Sequence, residues 1–258
     1  MHEIDIAGFP ALTTEGDAGR PLVLFLHGAF TTHECFRGWL REFEVRGWPC
    51  IAASLRGRLD VPPRNAEGVT LEQYLQDARS IMDALGETPA IVGHSVGGRL
   101  AQKLAEEGRC RAAVLMSPAP PWNLVPQADT IPALAPMLPG IMLGRPVRPN
   151  YWSAVRIILN RLAQPERRRV YDSLLYESGI CFREALAGSV RVDRSKIRVP
   201  LRVIGASDDR VISAALARTI ADYYGCELTI LDAHAHWFLE EPGWEGTAGV
   251  VAAWLARS

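Results

Sequence analysis

The chain has 258 residues, 48% of them hydrophobic and 22% charged, which suits one large core with an insertion. A formal net charge of −1 lacks the basic bias of a nucleic-acid binder and gives no reason to expect an anionic membrane surface as partner. Five widely spaced cysteines without a CxxC pair fit free thiols in a reducing compartment better than disulfides or a zinc site.

Residues 4–6 and 10–14 read as two short strands around an Ala7-Gly8-Phe9 turn. The continuous apolar run 21–26 marks a strand buried on both faces. It ends at His27-Gly28-Ala29-Phe30, and a helix over 35–46 follows, stopped by Gly47. A strand over 49–54 precedes a helix over 70–85, opened by Thr70 as N-cap and closed by Gly86. A strand from Ala90 leads through Gly93-His94-Ser95-Val96-Gly97-Gly98 into the next helix, and 111–117 is another buried strand. This alternation predicts an α/β protein with a mostly parallel central sheet flanked by helices.

The pattern breaks between Pro118 and Pro149, which hold nine of the eighteen prolines, a density hostile to helix interiors and central strands. Helices are expected beyond it over 152–162, 166–176 and about 182–190, with Arg167-Arg168-Arg169 on a solvated face. Strands at 201–204 and 227–231 and helices over 214–224 and 245–256 complete the core. Residues 1–119 and 198–258 are therefore assigned to the core, and 120–197 to an inserted helical cap.

A serine hydroxyl is a weak nucleophile unless it is lifted clear of the backbone and given a base. The Gly-X-Ser-X-Gly turn between strand and helix lifts Ser95, with Gly93 and Gly97 removing side chains that would clash. The following helix directs its positive end at developing negative charge. The base and its orienting acid come from loops at the carboxyl ends of later strands. His236 is the leading base and His234 its rival; Asp208 and Asp209 are the two acids after the 201–204 strand. His94 is expected to pack within the elbow, and His33 to lie in a surface loop.

The order serine, acid, histidine belongs to the α/β-hydrolase fold. The whole chain resembles the α/β-hydrolase superfamily with a helical cap, of the esterase or lipase-like serine hydrolase kind. His27-Gly28-Ala29-Phe30 resembles the family's oxyanion loop. Asp209-Arg210-Val211-Ile212-Ser213 resembles its Asp-x-x-hydrophobic-Pro turn, with Ser213 in place of proline. A count of three residues from Gly205 favours Asp208 instead; the downstream cue is preferred. His236-Trp237-Phe238-Leu239-Glu240-Glu241-Pro242 resembles the histidine loop, with Ala235 where glycine is common, and His234 does not fit it. The family's Asp-x-Arg-Gly-x-Gly loop survives only as Ser54-Leu55-Arg56-Gly57-Arg58-Leu59.

The resemblance implies Ser95, Asp209 and His236 as catalytic residues and the backbone N–H groups of Ala29 and Val96 as oxyanion donors. It implies no metal or organic cofactor. Phe30, Trp122, Tyr151 and Trp152 are candidates either for an apolar acyl pocket or for packing the cap onto the core. The expected activity is hydrolysis of a small or medium apolar ester or lactone by an acyl-enzyme. Acyl transfer, cofactor-free haloperoxidase or perhydrolase chemistry and carbon–carbon hydrolysis use the same triad, and a ligand receptor is the non-enzymatic alternative. An aspartate nucleophile, as in epoxide hydrolases, is absent because position 95 is serine. The expected partners are a small-molecule acyl substrate and water, without nucleic acid or membrane. A cytoplasmic monomer or homodimer is expected, because the start lacks a basic-then-apolar leader and no apolar stretch reaches spanning length.

Overall fold

A computed structural model describes residues 1–57 and 66–258. Arg58, Leu59 and Asp60 of the Arg-Gly loop lie outside the described residues. Eight strands form one sheet in the order β1-β2-β4-β3-β5-β6-β7-β8. They are β1 (His2–Ile6), β2 (Phe9–Thr14), β3 (Val23–Leu26), β4 (Cys50–Ala53), β5 (Ala90–His94), β6 (Ala113–Met116), β7 (Leu201–Ala206) and β8 (Glu227–Leu231). The β1–β2 and β2–β4 pairings are antiparallel and the others parallel.

β3, β4, β5 and β6 are buried at every residue, the consequence of helices on both faces. Val23 and Phe25 face one core with Trp39 and Phe43 of α1 (Arg37–Val45) and Val251 of α10 (Trp244–Leu255). Leu24 and Leu26 face the other. That core includes Tyr74 and Leu75 of α2 (Leu71–Leu85), Leu100 and Leu104 of α3 (Val96–Glu106), and Ile220 of α9 (Ala214–Tyr224). Burying a side chain of this size contributes about 1.5–3 kcal/mol. α2 begins at a capping box between Thr70 and Gln73 and ends at Gly86, whose φ of 72° suits glycine.

The segment between β6 and β7 carries α4 (Ile131–Leu134), α5 (Leu138–Met142), α6 (Tyr151–Ile157), α7 (Glu166–Ser173) and α8 (Gly179–Ala187). The proline-rich stretch is thus more helical than its composition predicts. Pro132, Pro136 and Pro139 sit in the first turns of α4, a 3-10 turn and α5, where their missing N–H costs nothing. α6, α7 and α8 end earlier than expected, at Ile157, Ser173 and Ala187, and α8 closes on Gly188 at φ 76°. The arginine run lies on α7, where Arg168 pairs with Asp172, Arg169 with Glu240, and Arg167 Nε donates to the Leu162 carbonyl. Cys35, Cys50, Cys110 and Cys181 are buried, and Cys226 is partly exposed. Among the described residues no helix is long and apolar enough to cross a membrane.

Candidate active site

Ser95 stands between β5 and α3 with φ 55° and ψ −115°, a conformation L-residues adopt only at a cost of about 1–3 kcal/mol. The surroundings enforce it. A Cβ at Gly93 would overlap the Gly97 carbonyl oxygen, and one at Gly97 would overlap the Leu26 carbonyl oxygen. The Ser95 N–H donates to the Met116 carbonyl at 2.9 Å, and its own carbonyl accepts from Ala119 N at 2.9 Å. These bonds tie the elbow to the neighbouring strand and the start of the inserted segment.

His236 follows β8 and Asp209 follows β7, so both stand at carboxyl ends of parallel strands, at the end of the sheet where Ser95 lies. His236 Nδ1 lies 2.9 Å from Asp209 Oδ2, and Nε2 lies 3.1 Å from Ser95 Oγ. A carboxylate only accepts, so Nδ1 carries the proton and Nε2 is free to receive one from Oγ. Asp209 Oδ1 accepts from Val211 N and Ile212 N, both at 2.8 Å, which fixes the carboxylate. All three side chains are buried. Asp208 points away and pairs with Arg161. His234 Nδ1 is bonded to the Asp232 carbonyl at 2.6 Å and has no contact with Ser95.

The histidine loop is braced by Glu241, whose Oε2 accepts from Ala235 N at 2.8 Å. Burial pushes the Glu241 carboxyl above the usual carboxylate range. His94 does more than pack the turn: its Nε2–H donates to the His236 carbonyl at 2.9 Å. Desolvation, with a smaller contribution from His236, lowers its pKa to about 3.

The loop after β3 supplies Ala29 and Phe30. His27 Nδ1–H donates to the Gly28 carbonyl at 2.8 Å, and Nε2 accepts from Leu55 N at 3.1 Å. Phe30 has φ 64°. Its N–H donates to Glu177 Oε2 at 3.4 Å, and its carbonyl accepts from Leu175 N at 2.7 Å. Glu177 is a buried carboxylate from the inserted segment, and nothing local in the sequence distinguishes it from a surface glutamate. His33, expected at the surface, is buried: Ser54 Oγ lies 2.7 Å from its Nδ1 and accepts from its backbone N–H at 3.3 Å. Ser54, standing where the family pattern has an acid, therefore holds this loop to the end of β4.

A cavity of about 90 Å³ opens on Ser95 and His236. Ala29 and Val96 border it beside the serine, and Val96 N–H, first in α3, has no acceptor within the helix. Its walls are nearly all apolar, with Leu134, Met137, Ile157, Leu174 and Phe182 from the inserted segment. Phe30 lines it, packed on Phe182 with ring centroids 5.7 Å apart. The other three aromatic candidates do not. Trp122 packs edge-on against Tyr223 at 5.2 Å, and Tyr151 against Tyr171 at 5.0 Å. Trp152 is 56% exposed on the outer side of α6. Trp122 thus packs the segment onto α9 of the core and Tyr151 packs on α7, while Trp152 faces water because α6 turns Ser153, Ala154 and Ile157 inward.

A strained serine at a strand–helix turn, with a histidine and an acid at later strand ends of a mostly parallel sheet, defines a hydrolase of the α/β class. Residues 23–248 match the model of the alpha/beta hydrolase family, and the chain belongs to that family. Epoxide hydrolase 4 of Mus musculus is 34% identical over 92 residues, 35% of this chain and 25% of the relative. The match thus spans only a quarter of that relative. The monoacylglycerol lipase of Paleococcus ferrophilus superposes with a TM-score of 0.73 at 19% identity, covering 100% of this chain and 99% of the lipase. The meta-cleavage product hydrolase of Pseudomonas fluorescens IP01 does so with 0.73 at 17%, covering 100% and 98%.

Proposed function

We propose that the protein is a serine hydrolase that cleaves a small or medium apolar carboxylic ester or lactone through an acyl-enzyme on Ser95. The observation that carries this reading is the unbroken hydrogen-bond path from Asp209 through His236 to Ser95 Oγ, opening on an apolar cavity. His236 Nε2 takes the Oγ proton as Oγ attacks the acyl carbonyl, and Asp209 stabilises the resulting imidazolium. The backbone N–H groups of Ala29 and Val96 receive the oxyanion; each such donor contributes about 2.7–4 kcal/mol to the barrier reduction. His236 returns the proton to the leaving alcohol, then activates the water that releases the acid.

Cavity size supports the substrate class. A cavity of about 90 Å³ with nearly all-apolar walls suits a compact apolar acyl group rather than a polymer. Epoxide opening does not fit Ser95. An alkoxide attacking an epoxide carbon leaves an ether that water and histidine cannot cleave, whereas a carboxylate nucleophile leaves a hydrolysable ester.

The test is hydrolysis of p-nitrophenyl esters from acetate to decanoate by wild type and Ser95→Ala, beside fluorophosphonate labelling. Serine-dependent turnover with a chain-length optimum supports the reading. Absence of both turnover and labelling overturns it in favour of a ligand-binding member of the fold.

A further inference from the structure

Residues 131–144 read Ile-Pro-Ala-Leu-Ala-Pro-Met-Leu-Pro-Gly-Ile-Met-Leu-Gly, without one polar or charged side chain. A stretch of that composition belongs in a core, yet it winds along the surface as α4, a 3-10 turn and α5. One face is used internally: Ala133, Met137 and Ile141 are buried, and Leu134 and Met137 line the cavity. The other face meets water. Ile131 at the start of α4 is 51% exposed, and Leu138 (40%) and Met142 (73%) stand four residues apart on one side of α5. Leu143 is 67% exposed beside them, and α6, packed against α4, adds exposed Trp152. Six of the eight large apolar side chains exposed among the described residues fall between 125 and 152. Such a concentration marks an interaction surface.

Charge selects the partner. Residues 120–197 carry eleven Arg and Lys against six Asp and Glu, while the rest of the chain carries seventeen against twenty-three. The near-zero total conceals a cationic insertion on an anionic core. Asp129 is the only acid between 120 and 165. Arg145 follows the apolar stretch directly and is exposed, and Arg183 Nη1 donates to the Met142 carbonyl at 2.9 Å, which sets it at the rim. A twofold contact with a second copy would bring these like charges together.

We propose that this face docks on an anionic lipid surface. Ile131, Leu138, Met142, Leu143 and Trp152 enter the headgroup layer, and Arg145 and Arg183 meet the phosphates. The docked face is the outer side of the cavity roof, so an apolar substrate dissolved in the lipid would lie next to it. That consequence rests on the proposed esterase reading; the docking does not.

The test is flotation of wild type with phosphatidylcholine vesicles, with and without phosphatidylglycerol, at low and high salt. Wild type is expected to float only with phosphatidylglycerol, and less at high salt. Met142→Glu with Leu143→Glu should weaken association at least roughly tenfold. Arg145→Glu should weaken it at least roughly fivefold, the effect of one cation at such a surface. Ser95→Ala should float like wild type, and Met142→Glu should hydrolyse soluble esters like wild type, which separates docking from catalysis. No flotation with either vesicle, equal flotation with both, or a solution dimer that Met142→Glu dissolves would each overturn the proposal.

Discussion

His94 and His236 lie with ring centroids 4.9 Å apart, and the His94 Nε2–H holds the His236 carbonyl at 2.9 Å. The immediate neighbour of Ser95 therefore anchors the loop that carries His236. A carbonyl can only accept, so His94 must keep its proton on Nε2, and its buried Nδ1 is left without a partner.

This arrangement makes the fold sensitive to acid. The folded pKa of His94 is about 3, against an ordinary 6.5. As pH falls from about 6.5 towards 3, the unfolded chain binds a proton that the folded chain refuses, so stability drops by up to about 1.4 kcal/mol per pH unit. Buried His33, also lowered chiefly by desolvation, acts in the same direction. Urea unfolding at pH 7 and pH 5 should show this loss in wild type and a smaller one in His94→Phe. An equal loss in both would remove His94 as its source.

Adjacent carboxylates should differ sharply in kinetics. Asp209→Asn should lower kcat about 10⁴-fold, because the amide no longer holds His236 in the tautomer that accepts the Ser95 proton. Asp208→Asn only loses a surface pair with Arg161, a contribution of about 0–1 kcal/mol to stability, and should leave kcat near wild type. Steady-state kinetics of the two variants decides, and the reverse order would move the acid to Asp208.

Glu177 links the inserted segment to the loop carrying Ala29. Tyr74 Oη and Ser178 N donate to its Oε1 at 2.8 Å, and Phe30 N donates to Oε2. Glu177→Ala should free Phe30 from its left-handed conformation and misplace the Ala29 N–H, lowering kcat by roughly ten- to a hundredfold with KM little changed. A rise in KM at constant kcat would instead place Glu177 in ground-state binding.

Cavity length should track one wall residue. Ala185 on α8 borders the cavity and is buried. Ala185→Leu should shift the p-nitrophenyl ester optimum to shorter chains, whereas Trp152→Ala, on an exposed ring, should not move it. A ladder of chain lengths measured on both variants checks this, and an unchanged optimum in Ala185→Leu would mean that acyl groups bind elsewhere.

Much of this was legible in the chain because its causes are short-range. Buried strands, amphipathic helices, the Thr70 cap and the Gly93–Gly97 spacing around Ser95 follow from side-chain period and backbone sterics within a few residues. Prolines misled the reading of 118–149 because their effect depends on position within a turn, and Pro132, Pro136 and Pro139 all fall in first turns. Glu177 and the cavity walls contributed by the segment between β6 and β7 carried no local signal.

By itself, then, the sequence determined the alternating α/β plan, the serine turn and the short set of acids and histidines that could serve it. The family resemblance also favoured Asp209 and His236 within that set, and the tertiary structure supplies the geometry by which they meet Ser95. Asp208 and Asp209 are chemically identical neighbours, but backbone direction after β7 sends one to Arg161 and the other, held by Val211 and Ile212, to His236. The same holds for Phe30 inside the cavity, Trp152 outside it and the exposed face of 131–144. Which way a side chain points is settled by packing between segments distant in sequence.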